Sequence, residues 1–156
     1  MDLPPTPTGA IRHLWQTDYT MVYRSLPLIR LHARRQLAMW GWPGDQQDAV
    51  LIISELVTNA INYGRVVDAL VAVRLAYLGS GGLLVDVSDA VGAFPDFANL
   101  VRGDMLQEGG RGLWLARRLG AELCWFLRDG GGKTVRAHLP GIAPEPGTSP
   151  RPLPLA

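Results

Sequence analysis

The stretch Asp48–Gly64, DAVLIISELVTNAINYG, constrains the fold more than any other part of the chain. Val50, Ile53, Val57 and Ile61 recur at steps of three and four, which puts them on one stripe of a helix that packs on a core. Glu55 and Asn59 are four apart, so they stack on another face, one turn above the other. An acid and an amide in register inside so apolar a helix point to chemistry. Both ends are marked. Asp45 can cap the start, Asp48 follows three residues on as a variant capping box, and Gly64 suits a left-handed cap at the end.

The length of 156 residues predicts one domain with room for a substantial core. Fifteen basic against fourteen acidic residues leave a net charge of +1, which gives no electrostatic case for nucleic acid or an anionic membrane. The one lysine is Lys133, and every other basic residue is arginine, a bias read as composition rather than function. The lone Cys124 sits among Leu123, Trp125 and Phe126 and reads as a buried, inert thiol. No signal peptide or membrane-length apolar run is visible, so a cytoplasmic protein is expected.

Around the long helix the remaining elements read in order. Residues 1–13 form a Pro/Thr-bearing N-terminal segment expected to be disordered, and residues 141–156 a Pro-rich tail of the same kind. The intervening 14–140 form the folded domain. A strand is predicted within 14–25 and an amphipathic helix over 28–40, with Pro27 at its first turn and Gly41 at its end. Residues 68–77 and 83–88 predict an antiparallel hairpin. Residues 90–110 read as a long loop, a length that is usually functional or mobile. A short helix over 112–119 and a second hairpin, 122–128 with 134–139 around Asp129–Gly132, complete the chain. Helices and strands do not alternate strictly. The expected class is therefore α+β, a two-layer sandwich of a mixed or antiparallel sheet with helices on one face.

Three segments carry further chemistry: Ser88–Gly92, Glu108–Leu113 and Gly131–Thr134. The second opens a helix, whose first amides can hold phosphate oxygens. No Gly-x-x-x-x-Gly-Lys-Ser/Thr loop is present, which excludes the common NTPase class. Taken together, ELVTNAINYG, VSDAVGAFP, EGGRGLWLARRLG and GGKTVRAHLP, in this order over about residues 20–140, resemble the GHKL fold shared by gyrase, chaperone ATPases, histidine kinases and MutL. Within it the chain is most similar to the anti-sigma factor serine/threonine kinases.

That resemblance implies ATP and Mg²⁺ as ligands and a role for each matching residue. Asn59 corresponds to the magnesium-holding amide, and Glu55 to the general base. Asp89 corresponds to the acid that accepts from the adenine amino group, with Gly92 in the segment after it. Gly110, Arg111, Gly112 and Leu113 correspond to the phosphate loop, and Thr134 to a hydroxyl near the base. Lys133 is expected to serve the turn. Tyr63 stands where the family often has histidine, and Val91 and Ala93 where the broader fold has glycines. The implied function is γ-phosphoryl transfer to Ser/Thr of an antagonist protein, with a sigma factor as the second partner and a homodimer as the assembly. The alternative is a sequestering module that holds nucleotide weakly or only structurally.

Overall fold

The computed structural model describes residues 9–95, 97–103 and 112–141. Five strands, β1 (Ile11–Thr20), β2 (Leu70–Leu78), β3 (Leu83–Asp89), β4 (Glu122–Leu127) and β5 (Lys133–Leu139), form one sheet in the order β1-β2-β3-β5-β4. Every neighbouring pair is antiparallel. Helices α1 (Leu26–Trp40), α2 (Gln46–Tyr63), α3 (Phe97–Arg102) and α4 (Gly112–Arg118) complete the α+β sandwich. The expected hairpins and the three expected helices are all present.

Period-two alternation divides each strand between two faces. Val71, Val73 and Leu75 of β2, Val85 and Val87 of β3, and Val135 and Ala137 of β5 enter the core with α1 and α2. The intervening residues face away from the helices. On that open face Asp86 takes two bonds from Arg136, at 2.8 and 3.0 Å, and one from Arg74 at 3.3 Å. Cys124 pairs in register with Arg136 there and is only half-buried, not buried as expected; partial burial pushes its thiol up, which keeps it protonated and inert.

The α2 helix lies between sheet and neighbouring helices, in contact with α1, α4 and β3. Its predicted stripe is inside: Val50 is 5% exposed, Ile53 and Val57 0%, Ile61 4%. Ala49, Ile52, Leu56 and Ala60 are buried too, which is why the helix reads apolar nearly all round. Asp45 caps it as expected, accepting from Asp48 N at 3.0 Å. Helix α1 buries Leu26, Ile29, Ala33 and Leu37 and stops at Gly41, whose φ of +63° is the left-handed cap.

Three boundaries differ from expectation. Strand β1 starts at Ile11, inside the segment assigned to the N-terminal tail, and stops at Thr20, where a 3₁₀ turn (Tyr23–Ser25) leads into α1. The 90–110 stretch contains α3, whose six residues are too few to show a periodic pattern. Gly64 closes α2 at φ −120°, not in the left-handed region, so its missing side chain serves another purpose, described next.

Candidate nucleotide site

Glu55 lies half-buried on α2, against the first turn of α4. The fit is close: a Cβ on Gly112 would fall 2.5 Å from Glu55 Oε2. Burial pushes the Glu55 carboxyl above its ordinary range, and the positive charge of Arg30 offsets only part of that. Arg30 itself donates from Nε to Ser54 Oγ at 2.6 Å. Asn59, one turn further on, is 5% exposed. Among the described residues neither Glu55 nor Asn59 has a side-chain hydrogen bond. A carboxylate with raised proton affinity therefore sits one turn from an amide oxygen with free lone pairs.

The second part of the site lies where α2 ends. Asp89 closes β3 on the helix-facing side and is 1% exposed. Its partner across the ladder is Lys133, also 1% exposed. Lys133 Nζ donates to Asp89 Oδ1 at 3.0 Å and to the carbonyl of Val91 at 3.2 Å, and lies 3.0 Å from Oδ2. The ammonium also sits 5.3 Å from the centre of the Phe94 ring. Val91 N donates to Oδ1 at 2.8 Å. Oδ2 is buried and has no hydrogen-bond donor of acceptable geometry among the described residues. Burial wins over the ammonium and holds the Asp89 carboxyl above its ordinary range.

Gly64 explains itself here. A Cβ on it would lie 2.3 Å from Asp89 Oδ2, so the end of α2 touches the carboxylate only because the side chain is missing. Gly132, in the turn just before β5, allows a similar approach to the Asp89 backbone: its φ is +85°, and a Cβ would meet the Asp89 carbonyl oxygen at 2.1 Å.

Of the residues expected at the site, Glu55 and Asn59 lie one turn apart on α2 with Gly112 against Glu55, and Asp89 stands at the C-terminal end of the same helix. Gly110 and Arg111 lie outside the described residues. Leu113 is 1% exposed and its side chain belongs to the core. Gly92 is exposed, and a Cβ there would meet nothing closer than 3.7 Å. Thr134 is not brought to Asp89. Its hydroxyl is 2.7 Å from Ser88 Oγ on the open face of the sheet, beside a shallow depression of about 280 Å³ that Arg74 and Asp86 also line. Lys133, expected to serve the turn, is the residue that faces Asp89. The alternation Lys133, Val135, Ala137, Leu139 carries that placement in the sequence.

A two-layer α+β fold, a five-stranded antiparallel sheet with its helices on one face, is the architecture of a histidine kinase-like class of domain. Residues 21–139 match the histidine kinase-like ATPase domain model, and the chain belongs to that family. Among solved structures it is similar to the RsbU and RsbW domains of Rv1364c from Mycobacterium tuberculosis, with 24% identity and a TM-score of 0.59. The match covers 90% of this chain and 34% of that one, so the chain spans about a third of that structure's length. A histidine kinase domain of a blue-light activated histidine kinase from Erythrobacter litoralis EL346 matches at 26% identity and a TM-score of 0.46, over 61% of this chain and 44% of that one. No curated protein matches the chain. Among the described residues no helix is long and apolar enough to cross a membrane.

Proposed function

We propose that the protein binds Mg²⁺·ATP along α2 and transfers its γ-phosphoryl group to a serine or threonine of an antagonist protein, as a cytoplasmic anti-sigma-type regulator. The observation that carries this reading is an acid and an amide one turn apart on α2, Glu55 and Asn59, neither with a side-chain hydrogen bond among the described residues, with the buried Asp89 carboxylate against Gly64 at the C-terminal end of the helix. Mostly buried polar groups are nearly always hydrogen-bonded, so an amide that is 5% exposed and has no side-chain partner among the described residues, one turn from a half-buried acid in the same condition, suits a ligand with matching groups. From Glu55 to Gly64 the helix rises about 13 Å, a span that suits a nucleotide lying lengthwise.

The residues present fit such a ligand. Asp89 Oδ2 supplies an acceptor for an exocyclic amine, and Asn59 Oδ1 an oxygen for a hard cation. Magnesium bound there would neutralise phosphate charge. Glu55 accepts the proton of the attacking hydroxyl as its oxygen bonds to phosphorus and ADP departs, and its raised proton affinity favours that task. Gly112, which opens α4, would face the phosphates, and the resemblance implies the same for the Gly110, Arg111 and Leu113 backbone. A sigma factor as second partner, and a homodimer, follow from the resemblance to anti-sigma kinases.

A second reading, a sequestering module with weak nucleotide binding, draws support from Lys133, which already occupies Oδ1 of Asp89. Incubation with γ-labelled ATP, Mg²⁺ and candidate antagonist proteins separates the two. Label on an antagonist hydroxyl that disappears in Glu55→Gln supports the kinase. Antagonist or sigma binding that ignores nucleotide, with no label transferred, supports the module.

A further inference from the structure

The face of the sheet turned away from the helices carries a cluster that the nucleotide reading leaves unused. Its centre is Asp86 on β3, 5% exposed. Arg136 on β5 gives it two bonds, at 2.8 and 3.0 Å, and Arg74 on β2 gives one at 3.3 Å. These two guanidinium groups share one carboxylate and keep donors over: Nη1 of Arg136, and Nε and Nη2 of Arg74, have no acceptor among the described residues. Arg128, directly after β4, lines the same depression, and its side chain has neither a hydrogen bond nor an ion pair among those residues. Three guanidinium charges against one carboxylate leave a local charge of +2, while Asp18 on β1 and Asp129 in the β4–β5 turn stand outside the lining. Ser88 and Thr134 line the depression too, 8% and 5% exposed. Their hydroxyls, 2.7 Å apart, hold two protons and share one bond, so one proton is left to give.

We infer that this depression is a docking site for a protein partner that presents acidic side chains, whose carboxylates take the spare guanidinium donors. The inference stands apart from the nucleotide reading, because it uses the opposite face of the sheet. Two features select carboxylates of a protein segment over a free phosphate. Strands β2, β3 and β5 each pair on both sides, so their amides are spent on ladder bonds and offer no nest of backbone N–H groups. Recognition falls to side-chain forks, which match a planar carboxylate two bonds at a time. Asp86 also stands in register between Arg74 and Arg136, so its own charge separates their spare donors. Two carboxylates, one on either side of it, fit better than a single anion, and acids one helical turn apart on a partner supply such a pair. The Phe126 ring, its centre 5.0 Å from the Arg136 guanidinium, backs that fork.

The test is an NMR titration of the isotope-labelled full chain at low salt. The probe is a capped, alanine-based helical peptide with glutamates four residues apart, and the control is the same peptide with glutamines. The glutamate peptide should give saturable shifts at residues 72–74, 86–88, 126–128 and 134–136, and the glutamine peptide none. Arg128→Gln should weaken the glutamate peptide about fivefold, the size of one exposed charge pair. The double variant Arg117→Gln/Arg118→Gln, on α4, should leave its affinity within about twofold. No saturable shift, equal shifts with the glutamine peptide, shifts centred on α4, or an unchanged affinity in Arg128→Gln each overturns the inference. Inorganic phosphate that reproduces the shifts and displaces the peptide at matched ionic strength also overturns it, in favour of a free-anion site.

Discussion

Replacing Lys133 by methionine keeps the aliphatic stem and removes the charge. The Asp89 carboxylate then loses its ammonium partner at 3.0 Å, and the Val91 carbonyl loses its donor at 3.2 Å. Asp89 is 1% exposed, so water cannot take the place of either. Removing one member of a buried ion pair costs about 3–5 kcal/mol. For a domain of this size that lowers the melting temperature by roughly 10 °C at pH 8. The loss should depend on pH with a definite sign. Lys133 lowers the proton affinity of Asp89, against the larger opposite effect of burial. Without Lys133 the carboxyl is raised further above its unfolded value, so the folded variant takes up a proton that the unfolded chain does not. Its stability deficit is therefore full above the raised folded-state value and shrinks as pH falls below it. Thermal melts followed by circular dichroism between pH 5 and pH 8 measure this. Asp89→Asn in the Lys133→Met background should recover a large part of the loss at pH 8. A Lys133→Met protein that melts within about 2 °C of the parent at pH 8 would refute the reasoning, as would a deficit independent of pH.

The other expectations concern the C-terminal half of α2. Glu55→Gln should abolish phosphoryl transfer, by at least about a hundredfold, while ATP affinity changes little. It should also raise the melting temperature at pH 8, because burial holds the Glu55 carboxyl above its unfolded value and its charged form is unfavourable in the fold; the gain should fade as pH falls through the raised folded-state value and be gone below the ordinary carboxyl range. Asn59→Ala should weaken Mg²⁺-dependent ATP binding about tenfold or more in calorimetry, with the metal-free affinity little altered. Gly112→Ala and Gly64→Ala make a contrasting pair. The first places a methyl 2.5 Å from the free end of Glu55, which can swing aside, so transfer should drop about tenfold or more with stability nearly intact. The second places a methyl 2.3 Å from the Asp89 carboxylate, which Lys133 and Val91 hold in place, so it should cost about 1–3 kcal/mol in a chemical denaturation curve as well as nucleotide affinity.

Much of this arrangement was legible in the sequence. The length and apolar stripe of α2, with its Asp45 cap, placed Glu55 and Asn59 on one face before any coordinates, and the alternating strands gave both hairpins. The misses have physical causes. Six residues of α3 make under two turns, too short for a period to register. Gly64 does cap α2, through its N–H on the Ala60 carbonyl, but without the left-handed turn that glycine usually supplies there; the need for glycine comes from Asp89, distant in sequence and invisible to local rules. Lys133 and Thr134 were assigned by neighbourhood to a glycine turn and a motif. Carrying the β5 alternation one residue further back would have put Lys133 with Val135 and Ala137 on the core side, and Thr134 with Arg136 on the open face. A charged residue on an apolar face is easily taken for the end of a strand, and only the register Asp89 to Lys133 shows why it continues.

The central claim, that α2 holds a magnesium-bound triphosphate at Glu55 and Asn59, is tested most directly by a crystal structure with Mg²⁺ and a non-hydrolysable ATP analogue. The expected density shows a cation about 2.1 Å from the Asn59 carboxamide oxygen, the terminal phosphate beside Glu55, and the base against Asp89. A nucleotide bound elsewhere at full occupancy, or none at saturating concentration, would contradict it.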